Sequence, residues 1–145
     1  MEVIRLLHIR DYDPQFGRFR SEVFRNSSDG SGISVFTLVC AIGASGSGCE
    51  HARRFYPTRY VEPPIFWLIN MTELPNCDLI QKTSSSGDAC HHNLVGLSDN
   101  AARRFFKAHD VGSYFICNGN THVPATWPQV KALHEAFLLT LKTSK

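Results

Sequence analysis

The chain has 145 residues, 43% of them hydrophobic and 19% charged, with a net charge of +2. That composition excludes a disordered chain and a histone-like polycation, and the length suits one domain, 1–145, able to bury roughly two thirds of its unfolded surface. No apolar run approaches the roughly 18 residues that a membrane span needs, so no membrane partner is expected.

The elements read as mixed α and β. "EVIRLLHI" (Glu2 to Ile9) is predicted as a first strand and "DYDPQFGRF" as a turn. "ISVFTLVCAI" (Ile33 to Ile42) is apolar and rich in β-branched residues, so it reads as one central strand. After "GASGSG", Ser47 and Glu50 stand at capping-box spacing, and Pro57 closes a short helix. "PIFWLINM" (Pro64 to Met71) is a buried strand. "CDLIQKT" and "HHNLVGL" flank a Gly-containing loop and pair as a hairpin. Ser98 caps a helix from Asp99 to His109, with Gly112 at its exit. "SYFIC" is a further strand. Thr126 caps the last helix, with Pro128 in its first turn and Val130, Leu133, Phe137, Leu138 and Leu141 on one core-facing stripe. The fold expected is α+β: one compact domain with a mixed or antiparallel sheet of five to six strands and about three helices.

The start, "MEVIRLLHIRDYDP", has an acid at position 2, no long apolar core and no small-residue cleavage site, so it does not read as a secretory signal. The five cysteines are odd in number and none forms a CxxC pair. Without a signal they read as free thiols in a reducing cytosol, and the expected localisation is cytoplasmic.

The basic side is skewed, with ten Arg against five Lys. Arginine binds phosphate and carboxylate through a bidentate fork that lysine lacks. The arginines cluster at Arg18, Arg20 and Arg25, at Arg53, Arg54 and Arg59, and at Arg103 and Arg104. One reading is solvated faces and surface ion pairs; the other is a phosphate-facing surface.

Four constellations carry chemistry. In "GDACHHNLVGLSDNAARRFFKAHD" (Gly87 to Asp110), His92, Asn100 and His109 run in the order of an HNH-like metal-dependent nuclease: a general-base His on a strand, a loop-fixing Asn and a metal-binding His on the next helix. The segment from His92 to Asn100 departs from that pattern, being short and apolar. A zinc site is the second. Its candidate ligands are Cys49, His51, Cys77, Cys90, His91 and His92, with His92, His109 and Cys90 as the alternative metal set, but the tight Cys hooks of structural zinc sites are missing. No cofactor is therefore expected, with zinc or another divalent metal as the alternative. Third, "GASGSGCEHARR" leads a strand into a glycine-rich loop, a helix start and two arginines. Backbone N–H groups at Gly46 and Gly48, with Arg53 and Arg54, are a recipe for holding phosphate. Read instead as a mobile surface loop, it tolerates Gly46→Ala and Gly48→Ala with little change in stability. Fourth, Cys90 beside His91 suggests Cys–His catalysis, but strand neighbours point to opposite faces.

The order of "IRLLHI", "SEVFR" (Ser21 to Arg25), "GISVF" (Gly32 to Phe36), "CHHNLVGLS" (Cys90 to Ser98) and a helix with "AARRF" resembles small bacterial proteins of unknown function from defence and toxin-like gene clusters. In that pattern His92 matches the recurring His, and Phe24, Ser34 and Val35 match the central segment. The resemblance implies no activity, and it leaves out the Gly-rich loop and the extra cysteines.

These readings converge on a cytosolic bacterial effector-type protein that binds or acts on a phosphate-bearing ligand, a nucleotide or a nucleic acid. His92 or His91 would serve as general acid or base, and Arg18, Arg20, Arg53, Arg54 and Arg103 with Gly46 and Gly48 would bind phosphate. The alternative is a non-catalytic interaction module, a small subunit or inhibitor-like protein paired with a product of the same operon through exposed Tyr, Phe and Arg. A cleft uniting His91 or His92 with arginines favours the enzyme; buried, satisfied histidines favour the module.

Overall fold

The computed structural model describes residues 1–20, 23, 32–57, 65–74, 77–84, 87–108 and 114–143. Seven strands form one antiparallel sheet in the order β6-β7-β4-β1-β5-β8-β9. They are β1 (Glu2–Leu7), β4 (Ile33–Thr37), β5 (Ile65–Asn70), β6 (Asp78–Gln81), β7 (His91–Val95), β8 (Tyr114–Asn118) and β9 (Thr121–Pro124). A separate two-stranded ribbon, β2 (Tyr12–Asp13) and β3 (Arg18–Phe19), wraps the predicted turn. Among the described residues there are four helices, α1 (Leu38–Ser45), α2 (Gly48–Phe55), α3 (Asp99–Ala108) and α4 (Trp127–Thr143).

The antiparallel alternative for the sheet is the one observed, but the expected five to six strands and three helices fall short. β9 and the β2–β3 ribbon are added, and so is α1. The predicted strand Ile33 to Ile42 is a strand only to Thr37, and Leu38–Ser45 is helical. A continuous apolar run has no periodicity to separate a buried strand from a buried helix. The hairpin was read correctly, since Leu79 faces Leu94 and Ile80 faces Asn93. So were the caps. Ser98 Oγ accepts from Ala101 N, and Thr126 and Gln129 cap α4 reciprocally.

Strand alternation gives the sheet two apolar faces, and each is covered. Val3, Leu7, Ile33, Val35, Ile65, Trp67 and Leu94 pack against α3, α4 and the ribbon. Ile4, Phe36 and Phe66 pack against α1 and α2. In α4 the stripe is narrower than predicted. Val130, Leu133 and Phe137 pack on the core, whereas Leu138 and Leu141 are 42% and 49% exposed; His134 is buried in their stead, against Tyr12.

The reading of all cysteines as free thiols is overturned. Cys40 of α1 is bonded to Cys90, which immediately precedes β7, and Cys49 of α2 is bonded to Cys117 of β8. Only Cys77 is free. The partners lie 50 and 68 residues apart, so no local spacing could announce them. Both bridges fasten the α1–α2 layer to the sheet. No helix among the described residues is long and apolar enough to cross a membrane.

Candidate functional site

The α1–α2 layer meets the sheet in a polar chain of four side chains, the central two of them buried. Gly46 closes α1 in the left-handed conformation, at φ 89°, and its N–H returns to Ile42 O. Ser47 then caps α2 by accepting from Glu50 N. This turn brings Ser45, the last residue of α1, against His51, in the first turn and a half of α2. The Ser45 Oγ to His51 Nδ1 distance is 2.9 Å.

His51 Nε2 lies 2.8 Å from Asp88 Oδ1. A carboxylate only accepts, so Nε2 carries the proton, and in the neutral ring Nδ1 accepts from the Ser45 hydroxyl. Asp88 is held from every side. Its N–H donates to Ser84 Oγ, its Oδ1 also accepts from Cys90 N, and its Oδ2 accepts from the Tyr56 hydroxyl. His51 and Asp88 are both 0% exposed. Three donors compensate a carboxylate withdrawn from water. The rings of Phe36 and Phe55, at 5.0 and 4.7 Å from His51, supply an apolar wall that strengthens these bonds. The Ser45 end approaches solvent between the exposed Ala44 and Gly46, and Tyr56 at the other end is half-buried.

One of the predicted arginines borders this end. Arg54 Nη1 donates to Ala44 O at 3.3 Å. Arg53 is turned to the other side of α2, bonded to Glu50, Asn120 and Gly119 O. Gly46 and Gly48 frame the Ser45 turn. The reading of the loop as surface with two replaceable glycines needs correction at Gly48, which is buried. A Cβ there would lie 2.9 Å from His122 and from Ile4.

The remaining predicted residues do not join this site. His91 is 8% exposed, with Nε2 2.7 Å from Ser34 Oγ and Nδ1 2.7 Å from Lys82 O. It is His91, not His92, that meets Ser34 of the "GISVF" segment. His92 is half-buried on the other sheet face, and its Nδ1 bonds Cys90 O. Arg103 lies on α3, beneath the opposite face from Arg53 and Arg54, and Arg18 and Arg20 belong to the ribbon region. Arg25, Arg59 and His109 lie outside the described residues.

Among the described residues, two groups bring metal-ligating types together: Cys49, Cys117 and His122, and His51, Asp88 and Cys90. Neither group offers a free thiolate in the oxidised chain, since Cys90 sulfur is bonded to Cys40 and Cys49 sulfur to Cys117; in the second group the facing atoms of His51 and Asp88 are also occupied by each other. The alternative set His92, His109 and Cys90 loses its thiolate for the same reason.

Sequence reasoning named His51 only as a zinc ligand and missed Ser45, Tyr56 and Asp88. Two signals were present. The capping box places His51 on the same helical turn as the buried Ala52, and Asp88 two residues before Cys90 is an Asx-turn pattern. No family model matches the chain, and comparison with curated proteins and with solved structures gives no match.

Proposed function

We propose that the protein is an ester-directed hydrolase or transferase in which Ser45 is the nucleophile, His51 the general base and Asp88 the group that orients and supports His51. The observation that carries this reading is the unbroken chain Ser45 Oγ–His51 Nδ1, 2.9 Å, and His51 Nε2–Asp88 Oδ1, 2.8 Å. Such a constellation is recognised by geometry and roles, not by residue order. Here the two ring nitrogens exchange their usual partners.

The step balances within the site. Ser45 Oγ attacks the ester centre as its proton passes to His51 Nδ1. The leaving alcohol departs with that proton, and water repeats the cycle to free Ser45. The Arg54 guanidinium, beside Ala44, supports charge that develops on the ester oxygen. An anionic ester suits that setting, which keeps the phosphate-bearing ligand and moves the base from His91 or His92 to His51. The disulfides favour an oxidising compartment over the cytosol.

A second reading has its own observation. His51 and Asp88 have no exposed surface, and both nitrogens of His91 are engaged. The chain is then a structural bracket in a non-catalytic interaction module. A fluorophosphonate distinguishes the two. Covalent labelling at Ser45, absent in Ser45→Ala and slowed about a hundredfold or more in His51→Gln, is expected of the enzyme. Turnover of p-nitrophenyl acetate against bis(p-nitrophenyl) phosphate then separates acyl from phosphoryl esters. An unlabelled Ser45 in the folded protein leaves the bracket.

A further inference from the structure

We propose that the Cys49–Cys117 disulfide is one state of a redox-switched zinc site, whose other state is a divalent zinc ion held by the thiolates of Cys49 and Cys117 and the imidazole of His122. The inference is independent of Ser45.

The three residues come from three elements and converge on one spot. Cys117 of β8 and His122 of β9 are direct partners across the antiparallel pair. Facing residues in such a pair hold their Cβ atoms about 5 Å apart, which suits two ligands of one ion. Cys49 reaches down from α2 onto the same spot. One ring nitrogen and the two sulfurs all lie within 4.8 Å of one another. Zinc sits about 2.3 Å from sulfur and about 2.0 Å from nitrogen, so a cluster of that span closes on an ion with small side-chain adjustments.

The second observation is an orphan. Among the described residues, His122 Nε2 is buried with no hydrogen-bond partner. Buried polar nitrogens are almost always bonded, and an exception asks for a missing partner. The His122 ring is positioned by Phe66, edge-on at 5.1 Å, and Gly48 next to Cys49 leaves the room that the ring occupies. The contrast with the other cluster is instructive, since both ring nitrogens of His51 are already taken.

The chemistry is complete once a thiol reductant is supplied. Two reductant thiols are oxidised to their own disulfide, and the Cys49–Cys117 bond takes up two electrons and two protons to give two thiols. Zinc then displaces two protons and binds the thiolates. Three protein ligands leave a fourth position for water or an incoming ligand.

The test titrates zinc into the whole chain carrying Cys77→Ala, so that no spare thiol competes, before and after reduction with a phosphine. The expected result is no tight zinc in the oxidised chain and one equivalent in the reduced chain, with thiolate-to-metal absorption when cobalt(II) replaces zinc. His122→Ala should weaken binding by more than the roughly 10–100-fold that loss of a supporting partner causes. Cys49→Ser with Cys117→Ser should abolish it, and Cys40→Ser with Cys90→Ser should not. Should the reduced chain unfold, zinc is expected to restore its circular dichroism in wild type but not in His122→Ala. A reduced chain that zinc neither binds nor refolds, or zinc binding that survives loss of His122 or follows Cys90, overturns the proposal.

Discussion

Asp88 Oδ1 accepts from two donors at once, the ring of His51 and the backbone N–H of Cys90, each at 2.8 Å. The carboxylate therefore ties α2 to the residue that carries one disulfide. Asp88→Ala leaves His51, Tyr56 and Cys90 N–H without their acceptor in a dry site. Each buried donor left without its acceptor costs about 1–3 kcal/mol. A fall in melting temperature of roughly 10 °C is expected by calorimetry, whether or not the site is catalytic.

The disulfide pairing makes a sharp count. Of five cysteines, one thiol per chain should react with a maleimide in denaturant without reductant, and peptide mapping should place it at Cys77. In the folded chain that reaction is slower still, because burial, reinforced by Asp78, raises the Cys77 thiol pKa and depletes the thiolate. Loops of 50 and 68 residues correspond to about 4 kcal/mol each in the chain-entropy treatment. Reduction should lower the urea midpoint steeply. Five reactive thiols in the native protein would refute the pairing.

Gly48 and Gly46 should separate. Ala at Gly46 is strained by the left-handed backbone and costs about 1 kcal/mol. Ala at Gly48 must push His122 or Ile4 aside in a packed layer, which costs about 1–3 kcal/mol. Equal urea midpoints for the two variants would contradict the packing described around His122.

How far this architecture was legible follows from the range of each signal. Caps, turns and the hairpin are local, and Ser47, Ser98 and Thr126 were read correctly. The strand-to-helix change at Thr37 was not, since "ISVFTLVCAI" is apolar throughout and the helix is chosen by packing on Phe36 and Phe66. His91 and His92 drew the eye as neighbours, yet the strand sends them to opposite faces. The site that formed joins Ser45, His51 and Asp88 across 43 positions, a proximity that the sheet creates and composition cannot encode.

Those two strand histidines should differ when removed. His91→Ala unpairs Ser34 and Lys82 O in a buried setting and is expected to cost about 1–3 kcal/mol. His92→Ala, half-buried with one bond, should melt closer to wild type. The reverse order in a thermal scan would contradict the face assignment of β7.

Tyr12 gives the fold an alkaline limit. Burial first, then Glu135 and Asp13, raises its pKa above the usual tyrosine value of about 10. The unfolded chain then loses the phenolic proton before the folded one does. Stability from this group is full below pH about 10 and is lost as pH rises through the raised folded value. Tyr12→Phe should flatten that alkaline limb in urea titrations.

The two bridges interlock, since Cys49 falls inside the loop closed by Cys40 and Cys90, while Cys117 falls outside it. Any single cut of the backbone between Cys40 and Cys117 therefore leaves both pieces covalently joined. A protease that nicks this region once changes the chain's connectivity without releasing a fragment, and the nicked protein keeps its mass, apart from added water, until a reductant parts it.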